Sequence, residues 1–583
     1  MPPRYAHVVP VLRTPFGVNG FDYLIPEQRS DVQIGSLVTI PFRRQMIVGL
    51  VTAISSQSSF AKQAKAITGI YIPIIFPKPL LEMLRWTAKR TFSSEPTVLA
   101  AWVRHLPKRP DVTAPRSTSK PTSGLHLNAA WTTQPMDMLT KAATEYMRKG
   151  RRTLIIVPWL PRLRAYKTRL PHAQVLHSEL NAGDAFRAWT RFATEPGACL
   201  ITTRLGAWLA PWADQILLDE PENDDHKQDE LAPRYDARLI LVWCAKQTGI
   251  PVESFGLTPP LHVEVPAPLL LSELTIHPRR PGGSSRIPCI QADSLERLRA
   301  HEGPRIIFHP VRGMAARLVC RECGWRAPCV ACGFELSAEP THARCHLCGT
   351  VSALPEACAV CQGIDLGKST PGIEKLKQLW SKHEADIDVE WRNLSNEDVD
   401  APIPDHALVL VTDAPLLGGA VEDVRRRERT CIAYRRLVDR VATSRGELII
   451  QCPEAIDPIT NHPEIATTWQ TWLTPEGFDT FRKRERQDRA LFQYPPATRL
   501  AKCLIDGNEA TALTWGDQAR KILPKAVVMR GPFFVPYRPS TRSERQVWHL
   551  LFPPESTEEQ LLTALTPLAS TAIIDLDPIA YFK

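Results

Sequence analysis

Short apolar segments separated by turn residues fill the first part of the chain. Each is rich in β-branched or aromatic side chains and is bounded by turn-forming or charged residues, a spacing that predicts a small β-barrel. The four segments are residues 7–11, 21–26, 34–42 and 47–51. Between residues 78 and 103 the apolar pattern becomes helical. Residues 107–124, rich in Pro, Ser, Thr and Lys, then predict a linker.

A second pattern follows from residue 125, in which short apolar strands alternate with helical stretches. The predicted strands are residues 153–158, 199–203 and 215–220. Because helices separate strands that are apolar throughout, this pattern predicts a doubly wound α/β sheet.

The third of these strands ends in two carboxylates, Asp219 and Glu220. Apolar residues that lead into Asp-Glu resemble a Walker B strand, where the Asp orients the water shell of Mg²⁺ and the Glu polarises the attacking water. An acidic strand end is also typical of a solvated turn, so the pair alone leaves both interpretations open.

A phosphate-binding loop would decide between them. It needs the pattern G-x-x-x-x-G-K-[ST] between a strand and a helix, because backbone N–H groups and the Lys must surround the phosphates. Residues 121–136, where the loop is expected, contain no Gly-Lys. The only Gly-Lys-Ser begins at Gly367, and Gln362 stands where the first glycine is needed. We interpret that match as chance.

Four Cys-x-x-Cys pairs lie between residues 320 and 361, and two such pairs complete the tetrahedral S₄ shell that zinc accepts. The pairs are Cys320 with Cys323, Cys329 with Cys332, Cys345 with Cys348, and Cys358 with Cys361. Eight cysteines therefore predict two zinc ions. Disulfides are the disfavoured alternative in a large chain without a secretory signal. His342 and His346 could each replace a ligand, but we expect them at the surface.

Composition and charge change this picture little. The 583 residues imply several domains, and a hydrophobic content of 44% with 23% charged residues is ordinary for a globular protein. The net charge of +9 weakly favours nucleic acid as a partner. The start of the chain lacks an apolar signal region and no run of about 18 apolar residues occurs, so we expect a cytoplasmic protein without membrane contact.

Two basic stretches have competing interpretations. Arginines 425–427 with Arg435 and Arg436 form a cluster for which a solvated helix face is expected, with a phosphate track as the alternative. Tyr537, Arg538 and Trp548 interleave basic and aromatic side chains, as single-strand binders do, but Trp548 fits a core position equally well.

Taken together, the motifs resemble the PriA family of replication-restart helicases (primosomal protein N′) over nearly the full chain. The cysteine block, which begins Cys-Arg-Glu-Cys-Gly-Trp at Cys320, is the most specific part. Other stretches that resemble the family are residues 21–24 (FDYL), 177–181 (HSELN), 493–496 (QYPP) and 575–578 (DLDP).

The resemblance implies a multidomain α/β protein. Its parts would be a 3′-DNA-end-binding, β-barrel-like domain, a linker, two RecA-like helicase lobes, the second with a zinc-binding insertion, and a C-terminal α+β DNA-binding domain. The corresponding boundaries are residues 1–106, 107–124, 125–288, 289–477 with the insertion at 318–363, and 478–583.

The resemblance also implies residue roles. Phe21 and Asp22 match a pocket in which the aromatic ring stacks on the last base and the Asp accepts a hydrogen bond from a terminal 3′-OH. The zinc shells would be nested, with an outer and an inner set of four. These sets are Cys320, Cys323, Cys358 and Cys361, and Cys329, Cys332, Cys345 and Cys348.

Departures from the family concern the motor. The phosphate-binding loop is missing, and Glu222 replaces the His of the family's Asp-Glu-x-His, which adds a carboxylate expected to repel triphosphate. Only Arg440 survives of the two arginines expected in the second lobe. Asp219, Glu220 and Arg440 are therefore interpreted as vestigial, and the departures argue against ATP and Mg²⁺ as cofactors.

The sequence thus predicts a DNA-binding primosome protein without helicase activity. It would recognise stalled or abandoned forks and D-loops and initiate replication restart by primosome assembly and replicative helicase loading. The family implies single-strand DNA-binding protein and primosome components as partners, at the nucleoid. One alternative is an active ATP-dependent 3′–5′ DNA helicase, and another is a primosome scaffold that acts mainly through protein contacts.

Overall fold

A computed structural model describes most of the chain. The described residues are 3–103, 106–107, 126–132, 134–259, 261, 277–279, 285–309, 316–320, 327–329, 336–338, 341–345, 350–368, 371–393, 399, 401–412, 424–453, 475–535, 544–579 and 581. The predicted linker at 107–124 therefore lies almost wholly outside them. The chain divides into two compact units, residues 1–259 with 557–579 and residues 260–556 with 580–583.

An antiparallel five-stranded sheet begins the first unit, where the sequence predicts a small barrel. Its strands are β1 (Arg4–Pro10), β2 (Phe21–Ile25), β3 (Ser36–Phe42), β4 (Gln45–Ser55) and β5 (Gly69–Ile75). They pair in the order β2-β1-β4-β3-β5, with register shifts in the β1–β4 and β3–β5 pairs. The predicted strands are confirmed, and closure into a barrel stays a prediction. Helices α1 (Lys78–Arg90) and α2 (Glu95–Trp102) follow the sheet.

A six-stranded parallel sheet forms the rest of this unit's core, in the order β6-β11-β10-β7-β9-β8. Its strands are β6 (Leu127–Trp131), β7 (Thr153–Ile156), β8 (Gln174–Leu176), β9 (Cys199–Thr202), β10 (Gln215–Asp219) and β11 (Val252–Gly256). The helices are α3 (Pro135–Arg148), α4 (Leu160–Arg169), α5 (Ala182–Thr194) and α6 (Ala237–Thr248). The three strands predicted from the apolar pattern are confirmed as β7, β9 and β10.

The direction of winding reverses beside β10, and we call the carboxyl ends of β7 and β10 at this place the crevice. After β7 the chain moves outward to β8 and β9, then returns to the other side of β7 as β10. In doubly wound sheets, ligands bind outside the carboxyl ends of the strands where the direction of winding reverses. The carboxyl ends of β7 and β10 therefore mark the position of a candidate site.

The second unit contains a parallel sheet, the order of which is β12-β21-β20-β13-β19. Its strands are β12 (His277–Arg279), β13 (Arg305–His309), β19 (Glu390–Asn393), β20 (Leu408–Val411) and β21 (Glu447–Pro453). The helices of this region are α7 (Ala292–Ala300), α8 (Ile373–His383) and α9 (Arg426–Thr443). The cysteine-rich block stands between β13 and α8 in the chain, as the sequence predicts.

The cysteine-rich block forms its own small antiparallel sheet, in the order β17-β16-β15-β14-β18. The strands are β14 (Ala316–Cys320), β15 (Leu336–Ala338), β16 (Ala343–Cys345), β17 (Val351–Ser352) and β18 (Leu366–Lys368). Gly367 and Lys368 lie on β18, which pairs with β14, so the chance match to a phosphate-binding loop belongs to the sheet of this block.

Three antiparallel strands, in the order β23-β24-β22, form the sheet in the last part of the second unit. They are β22 (Arg499–Asp506), β23 (Val528–Val535) and β24 (Arg545–Phe552), with helices α10 (Pro475–Leu491) and α11 (Glu509–Ile522). Trp548 is buried, and its indole N–H donates to the carbonyl of Ala512 at 2.9 Å. Trp548 is therefore a core residue. Tyr537 and Arg538 lie outside the described residues.

The basic cluster on α9 is not the solvated face that the sequence predicts. Arg435 is fully buried and Arg436 nearly so. The guanidinium of Arg435 lies 4.0 Å from the centre of the Phe478 ring, a cation–π contact that partly compensates its burial. Only part of the cluster matches the expectation, since the side chain of Arg427 is 45% exposed.

The C-terminal segment 557–579 belongs to the first unit. It carries α12 (Glu558–Leu565) and β25 (Ile573–Leu576). Arg90 on α1 pairs with Glu558 and with Asp577, each at 2.6 Å. Lys227 pairs with Asp575 at 2.7 Å and donates to the carbonyls of Leu576 and Asp577. Among the described residues, no helix combines the length and the apolar content needed to cross a bilayer.

The ion pair between Lys227 and Asp575 is almost wholly buried, at 2% and 1% side-chain exposure. We expect Lys227→Met to lower the free energy of unfolding of the first unit by about 3–5 kcal/mol, because Asp575 would keep a buried charge without its cation. Hydrogen exchange measured by peptide should then accelerate across 557–579. Lys149→Met, which removes an exposed partner of Glu145, is the matched control and should change nothing. Unchanged exchange in Lys227→Met would show that the Lys227–Asp575 pair does not hold residues 557–579 in the first unit.

Candidate functional site

Asp22 is held in a polar cluster on the N-terminal sheet. It lies opposite His7 in the β1–β2 pair, and its Oδ1 is 2.9 Å from the His7 Nδ1. The Ser58 hydroxyl donates to Oδ2 at 2.6 Å. Burial opposes ionisation of Asp22, but the hydrogen bonds from Ser58 and His7 outweigh it and lower the pKa of this carboxyl. Asp22 is therefore a fixed carboxylate with 25% of its side chain exposed.

Phe21 points to the other face of its strand. The ring is half-buried against the core of the sheet and lies 5.5 Å from the ring of Phe42. Arg43, at the tip of the β3–β4 hairpin, places its guanidinium 5.8 Å from the Phe42 ring and has a positive φ of 52°. Phe21 thus contributes to packing, and its stacking on a DNA base stays a prediction.

Gly20 makes room for the imidazole beside Asp22. A Cβ atom at this position would lie 2.6 Å from the His7 Nε2 and 2.9 Å from a backbone oxygen of β1, distances that real Cβ atoms do not reach. His7 and Ser58 carry no motif that identifies them in the sequence. Their link to Asp22 depends on the pairing of β1 with β2 and on the path of the chain after β4.

Three cysteines of the predicted outer shell meet at one place. The sulfur atoms of Cys320, Cys358 and Cys361 all lie within 4.8 Å of one another, and those of Cys320 and Cys361 are 3.5 Å apart. The backbone N–H groups of Val360 and Cys361 donate to the Cys358 sulfur. Such donors favour a thiolate, so the turn is suited to a cation, and soft sulfur ligands in tetrahedral arrangement suit zinc.

The other predicted ligands are only partly described. Cys329 and Cys345 are both buried and belong to one small core of the cysteine-rich block. Cys323, Cys332 and Cys348 lie outside the described residues, as does His346. His342 is described, with its ring nitrogen 3.2 Å from the Thr341 hydroxyl. The cluster could bind a metal ion, and the two-ion arrangement stays a prediction.

Asp219 ends β10 at the crevice but is closed off from solvent. Its Oδ2 accepts the Arg162 Nε–H at 2.6 Å, and its Oδ1 accepts the Arg162 Nη2–H at 3.0 Å and the Tyr166 hydroxyl at 2.8 Å. The side chains of Asp219 and Arg162 are 0% and 3% exposed. Although burial opposes its charge, Asp219 and Glu220 raise the pKa of Arg162 well above its ordinary value.

Glu220, the second carboxylate, has a positive φ of 47° and is also buried. Its Oε1 is 3.3 Å from the Arg162 Nη2, and its Oε2 accepts the Asn223 amide at 3.0 Å. His226 hydrogen-bonds the backbone oxygen of Asp219 at 2.8 Å, and burial lowers the pKa of His226 to about 4, which keeps it neutral. Both carboxylates therefore have partners within the protein.

Glu222 does not face the crevice as a free charge. Its Oε1 accepts the backbone N–H groups of Leu257 at 3.0 Å and Thr258 at 3.2 Å, so it anchors the end of β11. A Cβ atom on Gly256 would lie 2.5 Å from both the Glu222 Oε2 and the Trp131 ring. Glu222 therefore holds the chain after β11, and its expected repulsion of triphosphate stays a prediction.

The position of the missing phosphate-binding loop is a short connection. Strand β6 ends at Trp131 and helix α3 begins at Pro135, so only residues 132–134 separate them. The N–H of Thr132 donates to Gly256, and the N–H of Gln134 to the Thr132 hydroxyl. Pro135 itself has no N–H to offer. Three residues are too few for a loop of backbone donors around phosphates.

Arg440 lies near the end of α9 and is half-buried, with its carbonyl accepting the N–H of Ser444. It belongs to the second unit, whereas Asp219 and Glu220 belong to the first. Arg162 and Tyr166, which contact Asp219 directly, were not identified from the sequence. The sequence could have indicated them, because residues four apart share one face of a helix. Helix α4 follows β7, the strand next to β10, so this face could have been expected near Asp219.

Comparison with known proteins bears on the whole chain. Residues 11–104 match the family model of the PriA 3′DNA-binding domain (3′BD). The replication restart protein PriA of Haemophilus influenzae is 27% identical over 259 residues, covering 40% of this chain and 35% of the relative. PriA of Chlamydia pneumoniae is 24% identical over 444 residues, which cover 66% of this chain and 58% of the relative. PriA of Rickettsia conorii is 21% identical over 597 residues, which cover 88% of this chain and 89% of the relative.

The matches show what the chain is similar to. Residues 11–104, which include Asp22 and Ser58 but not His7, match the model of the 3′ DNA-binding domain. The chain as a whole is a relative of the replication restart protein PriA, and the resemblance drawn from the sequence is confirmed. In two of these three alignments the chain spans only 35% and 58% of the relative's length.

Metal content tests the cysteine cluster. The intact protein should carry two zinc ions per chain by elemental analysis. Cys361→Ser should lose one of them, since one of three converging sulfurs is removed, and Cys329→Ser should lose the other and unfold its part of the block. Cys199→Ala, in the first unit, is the control and should keep both. One zinc or none in the intact protein would refute the two-ion arrangement.

Proposed function

We propose that this protein recognises abandoned replication forks and D-loops through DNA 3′ ends and initiates replication restart. The observation that carries the proposal is the match of residues 11–104 to the 3′ DNA-binding domain family, together with the fixed Asp22 carboxylate inside it. Relatives named for replication restart, one of them aligned over 88% of this chain, support it.

The Asp22 cluster can accept a terminal hydroxyl. A carboxylate oxygen has two lone pairs, so Oδ1 and Oδ2 each keep one after their bonds to His7 and Ser58. A 3′-OH donates to such a lone pair, whereas a 3′-phosphate brings negative charge against it. Asp22 would therefore select the chemistry of the strand end.

The zinc-binding block would be a structural element of the same protein. Closed four-sulfur sites leave no position for water or substrate, so their contribution is folding free energy. The rigid sheet β14–β18 would then present a surface to DNA or to primosome proteins, among them single-strand DNA-binding protein and the replicative helicase machinery that the family implies.

ATP hydrolysis is not part of the proposed function. A motor of this class needs a phosphate cradle, a carboxylate that holds Mg²⁺ and arginines that contact the γ-phosphate. The connection between β6 and α3 is too short for the cradle, and Asp219 is bound to Arg162 and Tyr166. The acidic residues present do not fit a nucleotide-bound Mg²⁺ ion, so no step is derived through one.

Binding to strand ends tests the role of Asp22. We expect Asp22→Ala to weaken binding to fork DNA with a 3′-OH about tenfold to a hundredfold, since a hydrogen bond to a charged acceptor contributes about 1.5–3 kcal/mol. Binding to the same fork with a 3′-phosphate should change little. Asp31→Ala, an exposed acid of the same domain, is the control. Equal losses on both DNA ends would count against hydroxyl recognition.

ATPase assays separate the proposal from an active helicase. The protein should bind forked DNA in a salt-dependent manner, because phosphate contacts release counterions. Addition of that DNA should not stimulate ATP hydrolysis, and Asp219→Asn should show the same low background as the unmodified chain. Fork-stimulated hydrolysis that Asp219→Asn abolishes would instead establish the helicase. Binding to forks no tighter than to blunt duplex would favour the scaffold.

A further inference from the structure

Two buried carboxylates and a guanidinium meet at the carboxyl end of β10. Asp219 and Glu220 supply two carboxylates, and Arg162 supplies a guanidinium that contacts both, at 2.6 Å and 3.3 Å. We propose that Arg162 is a built-in replacement for the divalent cation that such a carboxylate pair would otherwise bind. In this way Arg162 would keep cations away from the two carboxylates, which can be tested without measuring ATP hydrolysis.

The geometry of Asp219 supports this replacement. Both lone pairs of Oδ1 are used, one by Arg162 and one by Tyr166, and Oδ2 accepts the Arg162 Nε–H. Mg²⁺ prefers octahedral oxygen ligands at about 2.0–2.1 Å and keeps several waters. While the guanidinium lies against both oxygens of the buried Asp219, there is no space for that water shell. A metal ion could reach Asp219 only if the guanidinium left.

The local sequence places the guanidinium there. Helix α4 starts directly after β7, the strand beside β10, so its first turn lies over the carboxyl end of the neighbouring strand. Arg162 and Tyr166 are four residues apart and share one face of α4, and the guanidinium lies 5.7 Å from the centre of the Tyr166 ring. Arg164, on the same helix, is exposed and pairs with Glu179.

The balance of charge between Arg162 and Asp219 predicts what happens when Arg162 is removed. Removing Arg162 would take from the buried Asp219 its ion-pair partner, which is strongly destabilising, whereas removing the charges on both sides is often tolerated. The variant Arg162→Met would thus vacate a site of two carboxylates. A divalent cation supplied from solution should bind there and restore the stability that the guanidinium provided.

Thermal unfolding of the full chain tests this. Buffers should be freed of divalent ions with a resin rather than EDTA, so that the cysteine cluster keeps its metal. We expect Arg162→Met to lower the midpoint of the first unit by several degrees. Millimolar Mg²⁺ or Mn²⁺ should restore most of this loss, while K⁺ at equal ionic strength should not. The unmodified chain and Arg164→Met should show no such shift.

A second variant and a direct readout complete the test. Arg162→Met with Asp219→Asn should recover part of the stability that Arg162→Met loses, because only Glu220 then loses a charged partner, and it should not respond to divalent ions. Electron paramagnetic resonance should detect one additional Mn²⁺ bound by Arg162→Met and none by the unmodified chain or the double variant. If Arg162→Met does not fold, refolding with Mn²⁺ should recover it, and the double variant should fold without metal.

Three results would overturn the proposal. The first is Arg162→Met with unchanged stability. The second is destabilisation of Arg162→Met that divalent ions do not reverse, which would make Arg162 an ordinary structural partner of Asp219. The third is a double variant as unstable as Arg162→Met. Each is independent of fork binding, so failure here leaves the proposed function to its own experiments.

Discussion

The buried ion pair between Arg162 and Asp219 is the constraint on which the chemistry of the first unit depends. A parallel sheet of this order brings the carboxyl ends of β7 and β10 together, and a carboxylate at that place needs a cation. In this chain that cation is the guanidinium group of Arg162. Its bonds, with that from Tyr166, occupy both oxygens of Asp219.

The parts of the first unit are joined by packing and by ion pairs. The N-terminal sheet and the parallel sheet share one hydrophobic core, in which Phe76 packs against Trp189, Trp208 and Trp212 at centroid distances of 5.2–6.2 Å. The C-terminal segment is fixed to the same unit through Arg90 and Lys227. Such packing suits a platform that presents the Asp22 cluster in one geometry.

Much of this arrangement could be predicted from the sequence, because apolar strands and Cys-x-x-Cys turns are local signals. The strands β7, β9 and β10 follow from uninterrupted apolar runs, and the convergence of Cys320, Cys358 and Cys361 follows from ligand chemistry. The absence of Gly-Lys at 121–136 corresponds to the short connection between β6 and α3.

What the sequence did not predict depends on contacts between distant residues. Arginines on helices are usually solvated, so the burial of Arg162 against Asp219 and of Arg435 against Phe478 required the strand order and the helix packing. The hydrogen bonds from Leu257 and Thr258 to Glu222 join residues 35 and 36 positions apart and have no local signal either. The packing of residues 557–579 into the first unit likewise depends on contacts between distant residues, such as the ion pair of Lys227 with Asp575.

A nucleotide titration tests the central claim most directly. The purified full chain, with Mg²⁺ and saturating fork DNA, would be titrated with a fluorescent ATP analogue, and bound analogue would be challenged with unlabelled ATP. The account predicts no saturable binding at millimolar nucleotide while the fork stays bound. Saturable binding that unlabelled ATP displaces, and that requires Mg²⁺, would contradict a crevice closed by Arg162 and would restore the active helicase as the better interpretation.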